Sequence, residues 1–274
     1  MAAGMASNGP PALVVRDLTK SFERGGRTVS AIETFSIDVA DGEFVSIVGP
    51  SGCGKSTFLH IVGGFERPSG GAMLLYGAPV AAPGADRGIM FQDSSLFPWL
   101  TVGRNVAWPL EIAGVPPGER EAVVAANLEM VGLAGFRHHY PAELSGGMKQ
   151  RAALARLLAL DPKIMLMDEP FGALDAQTRE NMQEQLQSIW SRHQKTVLFV
   201  THDIDEAVYL GTRVIVFTAR PGRIKADLPI DLPFPRPLEI KKDPAYVRYR
   251  NDVWDLLRAE VKRTAAELEA AGGP

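Results

Sequence analysis

GPSGCGKST, residues 49–57, is the most informative stretch of the sequence. It follows the apolar run FVSIV and opens a segment with helical spacing, so it predicts a strand, a glycine loop and a helix in that order. Glycines leave the backbone N–H groups free to surround a phosphate, and the positive end of the helix dipole points at the same place. The stretch therefore indicates a nucleotide phosphate site in an α/β domain, with a chance match in a glycine-rich chain as the alternative.

Each residue of this loop is a candidate phosphate or metal contact. The mobile charge of Lys55 is expected to reach the β and γ phosphates, and the hydroxyl of Ser56 is expected to contact Mg²⁺. The predicted nucleotide-binding residues of the loop are Gly49, Pro50, Ser51, Gly52, Cys53, Gly54, Lys55, Ser56 and Thr57.

Two neighbouring carboxylates follow a second apolar run, IMLMDE at residues 164–169. The carboxyl ends of parallel strands border the ligand crevice of an α/β sheet. Asp168 is therefore expected to hold Mg²⁺, directly or through water, and Glu169 to polarise an attacking water or take its proton. Alone, such a strand end is as often structural; beside a phosphate loop, the catalytic interpretation is favoured.

A third motif, LSGGMKQR at residues 144–151, lies just before the helical run RAALARLLAL. Ser145 is placed to cap that helix, and Gly146 and Gly147 leave its first amides open to an anion. A capped helix with a glycine turn is the structural alternative.

The composition limits the classes of function. The 274 residues are 46% hydrophobic and carry 29 Lys and Arg against 32 Asp and Glu, so no basic footprint for nucleic acid is present. Cys53 is the chain's one cysteine, which excludes an intrachain disulfide and a Cys-based zinc site. No run reaches the roughly 18 apolar residues that span a bilayer, so we expect a soluble chain.

The order of the remaining elements predicts an α/β protein. The β-prone runs from Leu13 to about Val48 suggest antiparallel strands, followed by a helix over Lys55–Val62 and the strand-like runs AMLLYG and GIMF. A helical region over about 101–160 is split into three helices at Pro116-Pro117 and Pro141. KIMLMD, TVLFVT and TRVIVFT then alternate with helices, which indicates a largely parallel sheet.

The C-terminal part has a different composition. A Pro-rich stretch over 229–244 precedes a segment with apolar residues at helical spacing, which predicts an amphipathic helix that packs on the body or on a partner. The residues of its apolar face are Tyr246, Tyr249, Val253, Leu257, Val261 and Leu268.

Taken together, the motifs resemble those of an ABC-transporter nucleotide-binding domain. The resemblance rests on Phe22, GPSGCGKST, Gln92 in MFQD, LSGGMKQR, IMLMDEP, GALD and His202 in VTHD, which occur in that family's order over about residues 12–230. It implies an ABC-type P-loop NTPase cassette with an antiparallel β subdomain, a mainly parallel RecA-like core, an inserted helical subdomain at about 95–160 and a helical tail. Residues 1–11 are then a disordered leader, and residues 231–274 a Pro-rich linker and the C-terminal helix.

The resemblance also implies roles for individual residues. Two copies would form a head-to-tail homodimer in which Ser145, Gly146 and Gly147 contact the ATP on the partner's phosphate loop. Phe22 would stack on adenine, and Gln92 would touch Mg²⁺ and the attacking water. Asp175 would cross the dimer interface, with helix N-capping as its rival, and His202 would contact the γ-phosphate, with a structural role as its rival. Lys55, Gln92, Glu169 and His202 are thus the predicted catalytic residues.

Two further segments resemble the ATPase subunits of bacterial nitrate, sulfonate and taurine importers. They are SLFPWLTVGRNVAWPLEIAGV and ARPGRIKADLPIDLPFPRP. The resemblance implies two transmembrane permease subunits, an external substrate-binding protein acting through them, and a position on the cytoplasmic face of the inner membrane. The aromatic run Leu96, Phe97, Trp99 and Leu100 either lines the groove that receives the permease or fills the core between subdomains. An exporter ATPase and an ABC ATPase outside transport are the alternatives.

Overall fold

The computed structural model describes residues 9–270, without the side chains of Arg24, Val261 and residues 263–270. Most of the predicted leader, residues 1–8, lies outside the described residues, as do the side chains of Val261 and Leu268 on the predicted apolar face of the tail. The chain divides into two compact units. One comprises the described residues up to Pro83 together with those from Gln194 onward, and the other comprises Gly84–His193.

The first unit contains an antiparallel sheet built on a long hairpin. Its strands β1 (Leu13–Arg24), β2 (Arg27–Val39), β4 (Gly70–Leu75) and β5 (Ala78–Pro79) lie in the order β2-β1-β4-β5. Neighbouring strands run antiparallel throughout. The antiparallel pairing predicted for the region from Leu13 onward is therefore confirmed for β1 and β2, and β4 and β5 extend the same sheet.

The same unit contains a group of mainly parallel strands. Strand β3 (Phe44–Val48) pairs in parallel with β8 (Thr196–Val200) and with β9 (Arg213–Phe217), while β10 (Ile224–Pro229) runs antiparallel to β9. The prediction that β3 belongs to the antiparallel region is wrong. All five of its residues are buried, and a strand covered on both faces is typical of a parallel sheet.

Three α-helices complete the described part of the first unit. Helix α1 (Lys55–Val62) begins at the glycine loop and has the predicted bounds, α6 (Ile204–Leu210) follows β8, and α7 (Pro244–Ala270) forms the predicted tail helix. Tyr246 and Val253 of α7 are fully buried, so this helix packs back on its own unit.

The second unit combines two parallel strands with four helices. Strands β6 (Arg87–Met90) and β7 (Ile164–Asp168) are paired neighbours. The helices are α2 (Val102–Ile112), α3 (Pro117–Met130), α4 (Gly146–Ala159) and α5 (Ala176–His193). The three predicted helices of the region 101–160 are confirmed. Among residues 9–270, none of the helices is both long and apolar enough to cross a bilayer.

Candidate nucleotide site

The glycine loop connects β3 to α1 and has no room for side chains at two positions. Gly54 has a φ of 99°, and a Cβ there would lie 2.8 Å from the carbonyl oxygen of Ala31. A Cβ on Gly49 would lie 2.9 Å from both Cys53 Sγ and Phe217 Cβ. Both positions therefore require glycine, and the loop follows a tight path over the end of β3.

Lys55 lies inside the curve of the loop. Its side chain is buried, and its Nζ donates to the carbonyl oxygens of Gly49 at 2.7 Å and Pro50 at 3.0 Å. The Cys53 Sγ lies 3.8 Å from the same nitrogen. Burial raises the pKa of the Cys53 thiol, so at neutral pH it stays uncharged. The ammonium of Lys55 thus supplies positive charge to the loop without a thiolate beside it.

The loop is open to solvent where an anion would enter. Ser51, Gly52 and Ser56 are exposed, and Thr57 is half-buried. The N-terminus of α1, a buried ammonium and hydroxyl oxygens are groups that fit a nucleotide phosphate. Among the residues that the structure describes, no three His, Cys, Asp or Glu side chains cluster as metal ligands. Mg²⁺ in nucleotide sites needs only one or two protein oxygens beside the phosphates, so the hydroxyl of Ser56 fits such a site.

His202 lies at the end of the strand that neighbours β3. The backbone N–H of Thr201 donates to Ile47 O at 3.1 Å, two residues before the loop begins. Asp203 caps α6 by accepting from the Glu206 N–H at 3.1 Å, while the Thr201 hydroxyl donates to Glu206 Oε2 at 2.6 Å. The first unit therefore brings the exposed His202 and the phosphate loop to the carboxyl ends of adjacent strands.

Phe22 lies on the hairpin of the first unit, opposite Val29 in the strand register. Its ring is half-buried, and Lys20 Nζ lies 4.6 Å from the ring centroid.

In the second unit, β7 ends at the two predicted acidic residues. Asp168 is buried, with 9% of its surface exposed, and Glu169 is half-buried. Glu169 has a φ of 46°, in the left-handed region that residues other than glycine rarely adopt. The Gly172 N–H donates to its carbonyl oxygen at 3.2 Å. Such backbone strain is common at functional sites.

The Ser-Gly-Gly motif begins α4 and packs against the beginning of α5. Ser145 Oγ accepts from the Met148 N–H at 3.3 Å, so Ser145 is the N-cap. Asp175 Oδ1 accepts from the Thr178 N–H at 3.0 Å, and the hydrogen bonds from Thr178 lower the pKa of the Asp175 carboxyl. A Cβ on Gly147 would lie 2.3 Å from Thr178 Cγ2. The second unit thus brings Gly147 and Asp175 together around one threonine, and the N-capping geometry of Asp175 is present.

Gln92 lies in a loop that is held by polar side chains the sequence did not reveal. Its side chain is exposed, and its carbonyl oxygen accepts from Gln150 Nε2 at 3.1 Å. Arg156 donates to the carbonyl oxygens of Ser94 and Ser95 at 2.9 and 2.7 Å. Gln150 and Arg156 both belong to α4, so the helix that carries the Ser-Gly-Gly motif also fixes the Gln92 loop. The available signal was Arg156, a charged residue within the otherwise apolar run AALARLLAL.

The sequence also did not reveal a close contact that Gly222 makes in the first unit. A Cβ on Gly222 would lie 2.1 Å from the carbonyl oxygen of Cys53 in the phosphate loop, and the Gly222 N–H donates to Ala31 O at 3.0 Å. The glycine after proline in ARPGRI was the available signal.

A strand, a glycine loop with a buried lysine, and a helix define a P-loop nucleotide-binding protein. Residues 32–172 match the family model described as ABC transporter. The chain belongs to the ABC transporter family, and its predicted cassette fold is confirmed by solved structures of that class.

Relatives resemble the chain over most of its length. An uncharacterised ABC transporter ATP-binding protein of Methanocaldococcus jannaschii is 50% identical over 92% of this chain and 93% of its own. The nitrate import ATP-binding protein NrtD of Synechocystis is 45% identical over 94% of this chain and 98% of its own. A dimeric, post-hydrolysis ATP-binding cassette bound to ADP and Pi superposes with a TM-score of 0.72 at 33% identity, over 80% of this chain and 99% of its own. The chain is therefore an ATP-binding subunit of an ABC transporter.

Proposed function

We propose that this chain hydrolyses ATP to power an ABC importer for nitrate, sulfonate, taurine or a related small anion or organic solute. The observation that carries the ATPase proposal is the buried Lys55 ammonium inside a glycine loop, with the exposed His202 at the end of the adjacent strand. The importer proposal is supported by the identity of 45% to a nitrate import protein over nearly the whole chain.

The loop would hold the phosphates of ATP through its backbone amides and Lys55. Ser56, Gln92 and Asp168 would hold Mg²⁺, which when bound neutralises charge that develops on the phosphate oxygens. Glu169 would polarise the attacking water or take its proton, and His202 would contact the γ-phosphate. Phe22 would stack on the adenine through the ring face opposite Lys20.

A second copy would complete each site. Ser145, Gly146 and Gly147 form a capped helix start whose exposed residues are free to meet an anion. In the proposed homodimer this helix start contacts the ATP on the partner's loop, and Asp175 lies at the dimer contact. The cassette of known structure that resembles this chain is itself dimeric.

The second unit offers a groove for the membrane partner. A cavity of about 590 Å³ lies among α2, α3 and the loops beside them. Its lining includes Trp99, which is 71% exposed, with Arg104, Glu111 and Tyr140. An exposed tryptophan beside charged side chains is typical of an interface. We assign this groove to one of two permease subunits, which would hold the chain at the cytoplasmic face of the inner membrane and connect it to an external substrate-binding protein.

Replacement of Lys55 by alanine tests the ATPase proposal. Lys55→Ala removes the buried charge, so we expect nucleotide affinity and ATP turnover to fall by at least about tenfold. Lys163→Ala is the matched control, because this lysine is exposed and lies outside the site. Full ATP turnover by Lys55→Ala, or none by the unmodified chain with Mg²⁺, would overturn the assignment.

A further inference from the structure

Arg236 is a buried cation at the end of α6. It belongs to the segment ARPGRIKADLPIDLPFPRP and is 2% exposed. Its Nη1 donates to three carbonyl oxygens at the end of α6, those of Val208 at 2.6 Å, Tyr209 at 3.0 Å and Gly211 at 2.9 Å. The last carbonyls of a helix have no intrahelical partner, and a cation there complements the negative end of the helix dipole. Arg236 therefore caps α6 from outside the helix.

The position of Arg236 is itself fixed by the helix it caps. The Tyr209 hydroxyl donates to the Arg236 carbonyl oxygen at 2.7 Å, and the guanidinium lies 3.9 Å from the Phe234 ring centroid. Burial lowers the pKa of Arg236 to about 9, so the side chain remains protonated at neutral pH. The charge that caps α6 is thus present under ordinary conditions.

The beginning of α6 is held by the tail helix. The Tyr246 hydroxyl, on α7, donates to the carbonyl oxygen of Asp205 at 3.0 Å and lies 3.2 Å from its Oδ1. Helix α6 has seven residues, too few to be stable without outside contacts. Residues beyond 230 therefore hold this short helix at both ends.

His202 precedes this helix directly, with only the N-cap Asp203 between them. Its backbone is fixed on one side by the pairing of β8 with β3 and on the other by the position of α6. We propose that Arg236 and Tyr246 are positioning residues that set the orientation of His202 through α6. This inference rests on the proposed function, in which His202 contacts the γ-phosphate.

Three conservative variants of the full chain test the inference. Tyr246→Phe removes one hydroxyl, and Arg236→Lys keeps the charge but loses the planar donors that reach several carbonyls. Tyr249→Phe is the matched control, because it removes the same atom from the same helix, where that hydroxyl accepts from the Asp231 N–H at 3.2 Å. We expect kcat for ATP to fall about fivefold in Tyr246→Phe and about tenfold in Arg236→Lys, with KM changed less than about twofold. The control should match the unmodified chain.

The imidazole NMR signals separate positioning from a general loss of structure. The chain has five histidines, so His202 can be followed against four internal references. We expect its signal to shift in Tyr246→Phe and Arg236→Lys, while the signals of His60, His138, His139 and His193 remain in place.

Several outcomes would contradict the inference. The inference is overturned if kcat falls while the His202 signal stays unchanged, or if KM rises as much as kcat falls. It is also overturned if Tyr246→Phe has no effect. If Arg236→Lys does not fold, Tyr246→Phe decides alone. If the unmodified chain hydrolyses no ATP, the proposed function fails, whereas the response of the His202 signal still shows whether these residues set its orientation.

Discussion

Gly147 shows how closely the starts of α4 and α5 approach each other. A Cβ at this position would lie 2.3 Å from Thr178 Cγ2, a distance that real contacts do not reach. We therefore expect Gly147→Ala to lower the free energy of unfolding by about 1–3 kcal/mol, as overpacking does, in urea denaturation.

Two related variants make this test specific. Thr178→Ser removes the offending methyl group, and the next Thr178 atom lies 3.7 Å from the added Cβ, so Gly147→Ala combined with Thr178→Ser should recover most of the loss. At Gly146 the nearest atom to a Cβ is Leu174 Cδ2 at 3.8 Å, an ordinary contact. Gly146→Ala should therefore leave stability unchanged or slightly raised. Equal losses for the two glycine variants would contradict the steric argument.

Glu169 is the residue whose single change should separate ATP binding from hydrolysis. Glu169→Gln keeps the size of the side chain and removes the carboxylate that would polarise water. We expect kcat to fall by at least about 100-fold with ATP affinity retained, so gel filtration with ATP should show a stable dimer. Glu184→Gln, at an exposed position of α5, is the control. A Glu169→Gln chain that stays monomeric with ATP would contradict the assignment.

At the scale of one element, the last part of the loop before α2 is held by the buried amide of Asn105. Asn105 is fully buried, accepts from the Phe97 N–H at 2.8 Å and donates to the carbonyl oxygens of Phe97, Leu100 and Thr101 at 3.0 to 3.1 Å. Asn105→Leu would leave these groups without their partner, so we expect a loss of about 2–4 kcal/mol and faster hydrogen exchange at the Phe97 amide.

Asn127 provides the comparison for this prediction. It is buried in α3, but its amide nitrogen donates within the helix, to Val123 O one turn back at 2.9 Å. Because leucine is the better helix former, Asn127→Leu should change stability by less than about 1 kcal/mol. A loss at Asn127 as large as that at Asn105 would show that burial, and not the fixing of the loop, decides the effect.

The elements of this chain differed in how readily the sequence predicted them. Helices α1 to α4 were predictable because proline, glycine and capping residues mark their ends. Strand β3 was placed in the wrong sheet, because a short apolar run does not indicate which strands it pairs with. Strand β10 was missed because IKADLP is half-exposed and ends in proline.

The candidate site shows the same division between local and distant contacts. Lys55 and Ser145 were predictable because their motifs are continuous in sequence. The Pro-Gly pair at Gly222 marks a turn but not its contact with the phosphate loop, and Arg236 meets α6 only once the chain has folded. No local pattern distinguishes an arginine that caps a distant helix from one that lies in solvent.

At the scale of the whole molecule, the proposed permease contact requires an exposed surface. The sequence left open whether the run around Trp99 fills a core or lines a groove. Trp99 is 71% exposed and contacts Phe97 with ring centroids 5.6 Å apart. Its exposed ring therefore favours the groove, while Phe97 is half-buried beneath it.

Replacement of Trp99 by alanine tests this surface in the assembled transporter. Because the ring is mostly exposed, Trp99→Ala should change the stability of the isolated chain by no more than about 0.5 kcal/mol. An exposed aromatic at an interface can carry much of the binding energy, so co-purification with the permease and transport-coupled ATP hydrolysis should both fall sharply. Trp254→Ala, at a tryptophan of α7 that is 56% exposed, should leave both intact. Unchanged assembly and unchanged coupled hydrolysis in Trp99→Ala would place the permease contact elsewhere on the molecule.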